Sequence, residues 1–252
     1  MDKESAALYA KLPVFKRRVE KVRELIRQGL DVMKKPYLSC SFGKDSVVLL
    51  CLVLEQTPDI PVVFINSRYC FPDTYEVRDA FVREYGINLV EIVQPHDYLR
   101  IIDQYGLPDD RTPAQQKKVI DLLKKDLANT WAHDHCFDGH FWGMRKEESA
   151  GRRVMLNHRG PLFYAKAANL WRCAPLADWR WEDIWAYIHT RNVPYSRIYE
   201  KTGFCDLKQI RNTSWVTTDG AAYNGRVAWL KYYYPELYTK LANVLPEIKR
   251  YV

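Results

Sequence analysis

Long apolar runs are missing from this 252-residue sequence. No stretch approaches the ~18 consecutive apolar residues that a membrane-spanning helix requires, so none is expected. The first residues, Met1-Asp2-Lys3-Glu4-Ser5, are polar and lack the apolar core of a secretory signal, which points to a cytoplasmic protein. Cys-x-x-Cys is absent as well. The six cysteines (Cys40, Cys51, Cys70, Cys136, Cys173 and Cys205) lie far apart. That spacing argues against an iron–sulfur cluster and against a dithiol redox centre, and leaves buried reduced thiols as the expectation. Gly-x-Gly-x-x-Gly does not follow any early strand, and Gly-x-x-x-x-Gly-Lys-Ser/Thr occurs nowhere. Dinucleotide oxidoreductases and ordinary P-loop nucleotide hydrolases thereby lose most of their support. Neither an internal repeat nor a low-complexity segment is present.

The composition is that of a globular protein, with 27% charged and 13% aromatic residues. The length suits one large domain or a domain with a small appendage, and can supply a core without staples. A formal charge of +7 with pI near 9.0 favours acidic partners: nucleotides, sulfate, phosphate or a nucleic acid.

The segment Tyr37–Leu54 organises the rest. It opens as a short strand, turns at Gly43 and continues as a thoroughly apolar helix. The turn carries Ser41, Lys44, Asp45 and Ser46. A glycine permits close backbone approach and dihedrals that a Cβ forbids. The unpaired N–H groups and positive end of the following helix make an anion site. Ser41 and Ser46 add hydroxyl donors, and Lys44 adds a point charge suited to phosphate. Asp45 is a candidate helix cap or Mg²⁺ ligand. The alternative is a plain strand-to-helix turn with one charged pair.

Around this turn the periodicity alternates. A helix is predicted over Val14–Leu30, a strand at Tyr37–Ser41, a helix to about Glu55, and a buried strand at Pro61–Ile65. A helix over Asp73–Tyr85 and a strand at Asn88–Val93 follow. Alternation of this kind implies right-handed crossovers and a mostly parallel sheet, with ligands beyond the carboxyl ends of its strands. Helices are predicted over His96–Tyr105 and from Thr112 to about His133. The latter carries Lys117, Lys118, Lys124 and Lys125, read as a solvated face, with a nucleic-acid surface as the alternative. His133, His135, Cys136 and His140 cluster in sequence but match no standard zinc spacing.

Gly139–Met144 reads as the fourth strand and delivers Arg145, Lys146, Arg152 and Arg153 within nine residues, a second anion site facing the first. Glu147 or Glu148 can hold these arginines in place, and a salt-bridged surface helix is the alternative. After Leu170 the texture changes. A helix over Trp181–Ile188, an irregular stretch Gly203–Ser214 with Lys208 and Arg211, and a Tyr-rich helical tail broken by Pro235 are expected. The division is therefore 1–170 as an α/β domain and 171–252 as a helical extension.

Four stretches together resemble one family. Ser41-Phe42-Gly43-Lys44-Asp45-Ser46 is similar to the PP-loop of the adenine-nucleotide alpha-hydrolase-like superfamily. Ile65–Tyr75, Gly143–Ser149 with its trailing arginines, and Pro175-Leu176-Ala177-Asp178-Trp179 resemble segments of the phosphoadenosine phosphosulfate (PAPS) reductase group. That group includes the small subunit of ATP sulfurylase and the sulfur-modification enzymes of DNA. The resemblance implies a Rossmann-like, five-stranded parallel sheet flanked by helices, with adenine nucleotide over its carboxyl edge. It places Ser41, Phe42, Gly43, Lys44, Asp45 and Ser46 at the terminal phosphates with Mg²⁺. Asn66, Ser67 and Gly143 complete the nucleotide contacts, and Arg145, Arg152 and Arg153 sit on the sulfate, pyrophosphate or acceptor side. Asn66-Ser67 stand where relatives usually have Asp-Thr, which removes a carboxylate near the nucleotide.

Reductases of the group generally lack the Lys-Asp pair and carry a nucleophilic cysteine near the carboxyl end. Here Lys44 and Asp45 are intact and no cysteine follows Cys205. The expectation is thus ATP-dependent adenylyl transfer to sulfate or another oxygen acceptor, with Lys44, Arg145 and Arg152 as the catalytic set. A PAPS or adenosine phosphosulfate (APS) reductase, and a nucleotide- or nucleic-acid-binding partner subunit, remain open. So does assembly as a homo-oligomer.

Overall fold

The computed structural model describes residues 1–106, 110–123, 127–203, 212, 214–216 and 225–252. Two amino-terminal helices, α1 (Lys3–Ala10) and α2 (Pro13–Val32), precede strand β1 (Pro36–Ser39). Helix α3 (Lys44–Leu54), strand β2 (Pro61–Asn66), helix α4 (Pro72–Tyr85) and strand β3 (Asn88–Val93) follow as two βα repeats. Next come α5 (Tyr98–Tyr105), α6 (Pro113–Leu123), α7 (Leu127–Asp134) and strand β4 (Gly139–Trp142). The segment predicted as one helix over Thr112–His133 is therefore carried by α6 and α7. Helix α8 (Ala150–Arg159), strands β5 (Leu162–Ala165) and β6 (Leu170–Cys173), and helices α9 (Trp181–Arg191), α10 (Arg226–Tyr233) and α11 (Pro235–Val244) complete the order.

The strands form one sheet in the order β3-β2-β1-β4-β6-β5. β1 pairs parallel with both β2 and β4, and β4 pairs parallel with β6. The five-stranded parallel sheet that the resemblance implied is extended by a sixth strand, because β5 lies antiparallel to β6. The cause is local. Only the one-turn 3-10 helix Lys166–Ala168 and left-handed Asn169 (φ 49°) join the two strands. A link that short cannot make a parallel crossover.

The order of strands reverses at β1, which has β2 on one side and β4 on the other. Helix α3 is a continuous apolar run because it is buried nearly all round: Val47, Val48, Leu49, Leu50, Leu52 and Val53 are each inaccessible. Each such side chain contributes about 1.5–3 kcal/mol by burial. Alternation along the strands divides the two faces. Tyr37, Val63 and Leu170 pack with Ala132 of α7 and with Phe137 on one face. Leu38 and Phe141, paired in register, point the other way, toward α2. There a Cβ on Gly29 would lie 2.6 Å from the Phe141 ring.

The chain divides into two compact units, each built from interleaved segments. The first comprises Met1–Ile65, Glu76–Ile92 and Leu127–Ser196; the second comprises Asn66–Tyr75, Val93–Asp126 and Arg197–Val252. The expected cut at residue 170 falls instead at the first residue of β6, inside the sheet. Within the second unit, buried Asp73 accepts from Lys201 Nζ at 2.7 Å and from the Tyr234 hydroxyl at 2.8 Å. Phe71 packs on Trp229 and Tyr234. The irregular stretch carrying Cys205, Lys208 and Arg211 lies outside the described residues, as do Lys124 and Lys125 of the basic run.

Candidate functional site

The turn between β1 and α3 lies at the carboxyl edge of the sheet, beside the point where strand order reverses, the usual ligand position in open α/β sheets. Its backbone differs from the sequence expectation in one respect. Gly43 has φ −80° and ψ 163°, ordinary extended backbone, and the left-handed residue is Phe42, at φ 54°. The Phe42 side chain points into the core. It is wholly buried, edge-on to Phe64 at 5.2 Å and tilted on Phe81 at 6.2 Å. This side chain anchors the turn in the apolar core, so any nucleotide contact at Phe42 falls to its backbone. That burial offsets the roughly 1–3 kcal/mol cost of a strained backbone conformation.

Gly143 does the work of close approach. A Cβ there would lie 3.1 Å from the Asp45 carbonyl carbon, 3.1 Å from Ser46 N and 3.2 Å from Ser46 Cα. The end of β4 thus runs directly against the first turn of α3. The first N–H groups of that turn have no intrahelical acceptor. The Ser46 hydroxyl donates to the Gly43 carbonyl at 3.0 Å and lies 3.1 Å from the Ser41 hydroxyl. Ser41 Oγ accepts from Gly43 N at 3.4 Å.

A charge network borders this cradle. Lys44 Nζ donates to Asp45 Oδ2 at 2.6 Å, and Arg145 Nε donates to Asp45 Oδ1 at 2.6 Å. Arg145 is 3% exposed. It also donates to Glu147 Oε2 at 2.7 Å and to the Trp179 carbonyl at 3.3 Å. Glu147 accepts in turn from Trp181 N at 2.8 Å, and Glu148 accepts from Arg145 N at 2.8 Å. Burial by itself pushes the Asp45 carboxyl up, but Lys44 and Arg145 more than offset it and hold it below the usual carboxylate range. Burial likewise disfavours the Arg145 cation, and Asp45, Glu147 and Glu148 override that, leaving its pKa raised.

Each Asp45 oxygen therefore already holds a cation. This geometry gives Asp45 the task of orienting Lys44 and Arg145. Among the described residues, no three His, Cys, Asp or Glu side chains gather where they could hold a metal ion. Of the histidine cluster, His133 bonds the Ala168 carbonyl and His135 the Trp131 carbonyl.

Arg152 is linked to the charge network, since its partner Glu148, one helical turn earlier, also accepts from Arg145 N. Arg153 is exposed on α8. Asn66 and Ser67 belong to the second unit. There Asn66 Oδ1 accepts from Arg68 N at 2.7 Å and from the Tyr75 hydroxyl at 2.8 Å. Ser67 Oγ accepts from Tyr69 N at 3.2 Å. The Trp179 carbonyl was not legible as an Arg145 partner, although the Pro175–Trp179 stretch stands out in the sequence. Asp178 beside it bridges Lys21 and Lys146, each at 2.7 Å.

Thiol chemistry is restricted by burial, which pushes Cys40, Cys51 and Cys173 each up to about 12. Such thiols are inert as nucleophiles at neutral pH.

A parallel sheet whose strand order reverses beside a helix-start cradle defines an α/β protein of the nucleotide-binding class. More specifically, the chain belongs to the phosphoadenosine phosphosulfate reductase domain family, whose model matches residues 35–235. A phosphoadenosine 5'-phosphosulfate reductase of Xanthomonas campestris pv. campestris is 30% identical over 191 residues, 70% of each chain. Among solved structures, a phosphoadenylyl-sulfate (PAPS) reductase from Candida auris in a phosphate complex has a TM-score of 0.60. It covers 79% of this chain and 90% of its own at 18% identity. An FMN adenylyltransferase from Candida glabrata, in complex with FAD and inorganic pyrophosphate, has a TM-score of 0.55 at 17% identity. That match covers 78% of this chain and 67% of its own. No helix among the described residues is long and apolar enough to cross a membrane.

Proposed function

We propose that this chain binds an adenine nucleotide with its phosphates over the start of α3 and catalyses AMP-forming adenylyl transfer to sulfate or another oxygen acceptor. The observation that carries the reading is the Lys44–Asp45–Arg145 network beside the Ser41/Ser46 cradle. The acceptor oxygen forms a bond to the α-phosphorus as the bond to the bridging oxygen breaks, and pyrophosphate departs with the electron pair. Charge builds on the leaving group, so the assistance needed is positioning and preorganised donors. An arriving polyphosphate draws Lys44 from Asp45, and Arg145 keeps the aspartate neutralised. The Ser41 hydroxyl and the first N–H groups of α3 take the equatorial oxygens, while Ser46 keeps its bond to the Gly43 carbonyl. Mg²⁺ fits as a passenger of the phosphates, where it would neutralise charge.

The test is pyrophosphate release from ATP and Mg²⁺ across a panel of oxyanion and nucleophilic acceptors. Lys44→Ala should lower nucleotide affinity and turnover by about tenfold or more, the loss of one charged hydrogen bond. Unchanged affinity and turnover in that variant would overturn the reading.

A second reading, PAPS or APS reduction, is favoured by the 30% identity to a curated reductase. It requires a nucleophilic thiol, and burial leaves Cys40, Cys51 and Cys173 unsuited to that role. Sulfite formed from PAPS with a thioredoxin-type reductant, and lost in Cys205→Ser, would establish it over adenylyl transfer.

A further inference from the structure

A second group of donors lies apart from the cradle, on the sheet face that α7 covers. His140 of β4 and Arg172 of β6 are direct neighbours in register, and Trp142 follows two residues along β4 on the same face. The Arg172 guanidinium stacks over the Trp142 ring at 5.2 Å, and His140 meets that ring edge-on at 5.5 Å. Trp142 packs against the apolar cluster of Leu156, Ala174 and Ala177.

Three buried atoms in this group have no hydrogen-bond partner: His140 Nδ1, Trp142 Nε1 and Arg172 Nε. His140 itself is 5% exposed. Among the described residues, the Arg172 side chain forms neither a hydrogen bond nor an ion pair, and its contacts are the Trp142 ring and the field it exerts on His140. A half-buried arginine with no carboxylate among the described residues has its desolvation offset only in part, by the Trp142 ring. The sequence around it is consistent with that. From Ser149 through Ala177 there is no Asp or Glu, while Arg152, Arg153, Arg159, Lys166 and Arg172 all fall in this stretch. Arg159 sits over Phe163 at 5.4 Å, and Phe163 pairs with Arg172 across β5 and β6. Burial and the Arg172 charge lower the His140 pKa to about 3, so its ring is neutral and adds no competing cation.

We infer that Arg172, stacked on Trp142, is an oxyanion-binding subsite for the phosphate or carboxylate group of a ligand, separate from the α3 cradle. Its guanidinium supplies a planar fork already fixed by the indole, the arrangement suited to bidentate recognition. Binding requires only that the anion take the place of water on the outer nitrogens, and it neutralises the one charge in the group.

The experiment is ¹⁹F NMR of the full chain carrying 5-fluorotryptophan, with the Trp142 resonance assigned by Trp142→Phe. Inorganic phosphate and citrate are titrated separately at constant ionic strength. At least one of them should move the Trp142 resonance saturably. Arg172→Met should abolish the shift, and Arg172→Lys should weaken it by about tenfold, the cost of losing one charged hydrogen bond. Lys44→Ala should leave it intact. A response to phosphate alone assigns the subsite to phosphate ligands, and a response to citrate alone assigns it to carboxylates. No saturable shift with either anion, or a shift that survives in Arg172→Met, would overturn the inference. Loss of the shift in Lys44→Ala would also overturn it, by assigning the signal to the cradle.

Discussion

Replacing Arg145 by methionine keeps the length of the side chain and deletes its charge. The guanidinium bonds Asp45 at 2.6 Å, Glu147 at 2.7 Å and the Trp179 carbonyl at 3.3 Å, and its side chain is 4% exposed. Removing one partner of a buried ion pair costs about 3–5 kcal/mol, because the other charge is left uncompensated. Asp45 keeps Lys44, so the lower end, about 3 kcal/mol, is expected, or roughly a hundredfold in the folding equilibrium. Guanidinium chloride unfolding at pH 7, followed by far-ultraviolet circular dichroism, reads this directly. The double variant Asp45→Asn/Arg145→Met should cost less than the sum of the singles by about 1–3 kcal/mol, since the two groups are in contact. Acid provides a further check. The Asp45 carboxyl is depressed in the folded state, so its stabilisation is present above the unfolded carboxylate pKa and is lost as pH falls through the folded value. Without Arg145 the burial contribution is less opposed, and the loss should begin at higher pH. A single-variant cost under about 1 kcal/mol, or additive singles, would refute the network as the organiser of this edge.

Gly143→Ala should cost about 1–3 kcal/mol by overpacking, because the new methyl meets the Asp45 and Ser46 backbone at 3.1–3.2 Å; unchanged melting and nucleotide binding would show that β4 and α3 do not approach so closely. His140 has its folded pKa lowered to about 3, so its contribution is present above the unfolded value near 6.5 and lost as pH falls toward 3. His140→Phe should flatten that part of the stability–pH curve, and an identical curve would count against a neutral buried ring. Iodoacetamide labelling of the folded chain should spare Cys40, Cys51 and Cys173, whose thiols burial pushes up to about 12; rapid labelling at any of them, read by peptide mass, would contradict their burial.

The alternation of β1, α3, β2, α4 and β3 was legible because strand and helix periods differ and each element is bounded by Pro or Gly. The Ser41–Ser46 turn was legible because anion sites need small and cationic residues at a helix start. The antiparallel β5 was not, since a four-residue run beside a short link carries no periodicity that distinguishes it from a loop. The packing of Phe42 was not legible for a different reason. Its position between Ser41 and Gly43 suggested a ligand contact, whereas the direction of its side chain depends on a left-handed backbone at that residue and on Phe64 and Phe81 being there to receive it.

The sequence by itself determined the local chemistry: which helix start would be electropositive, which strands would be buried, and that Glu147 or Glu148 would steady an arginine. Only the tertiary structure decided which charges share a neighbour. Asp45 and Arg145 are 100 residues apart and meet because Gly143 lets β4 close on α3. His140, Trp142 and Arg172 meet because β4 and β6 pair in one register. Such encounters follow from strand order and register, which are set by the packing of the whole sheet and leave no trace in any one segment.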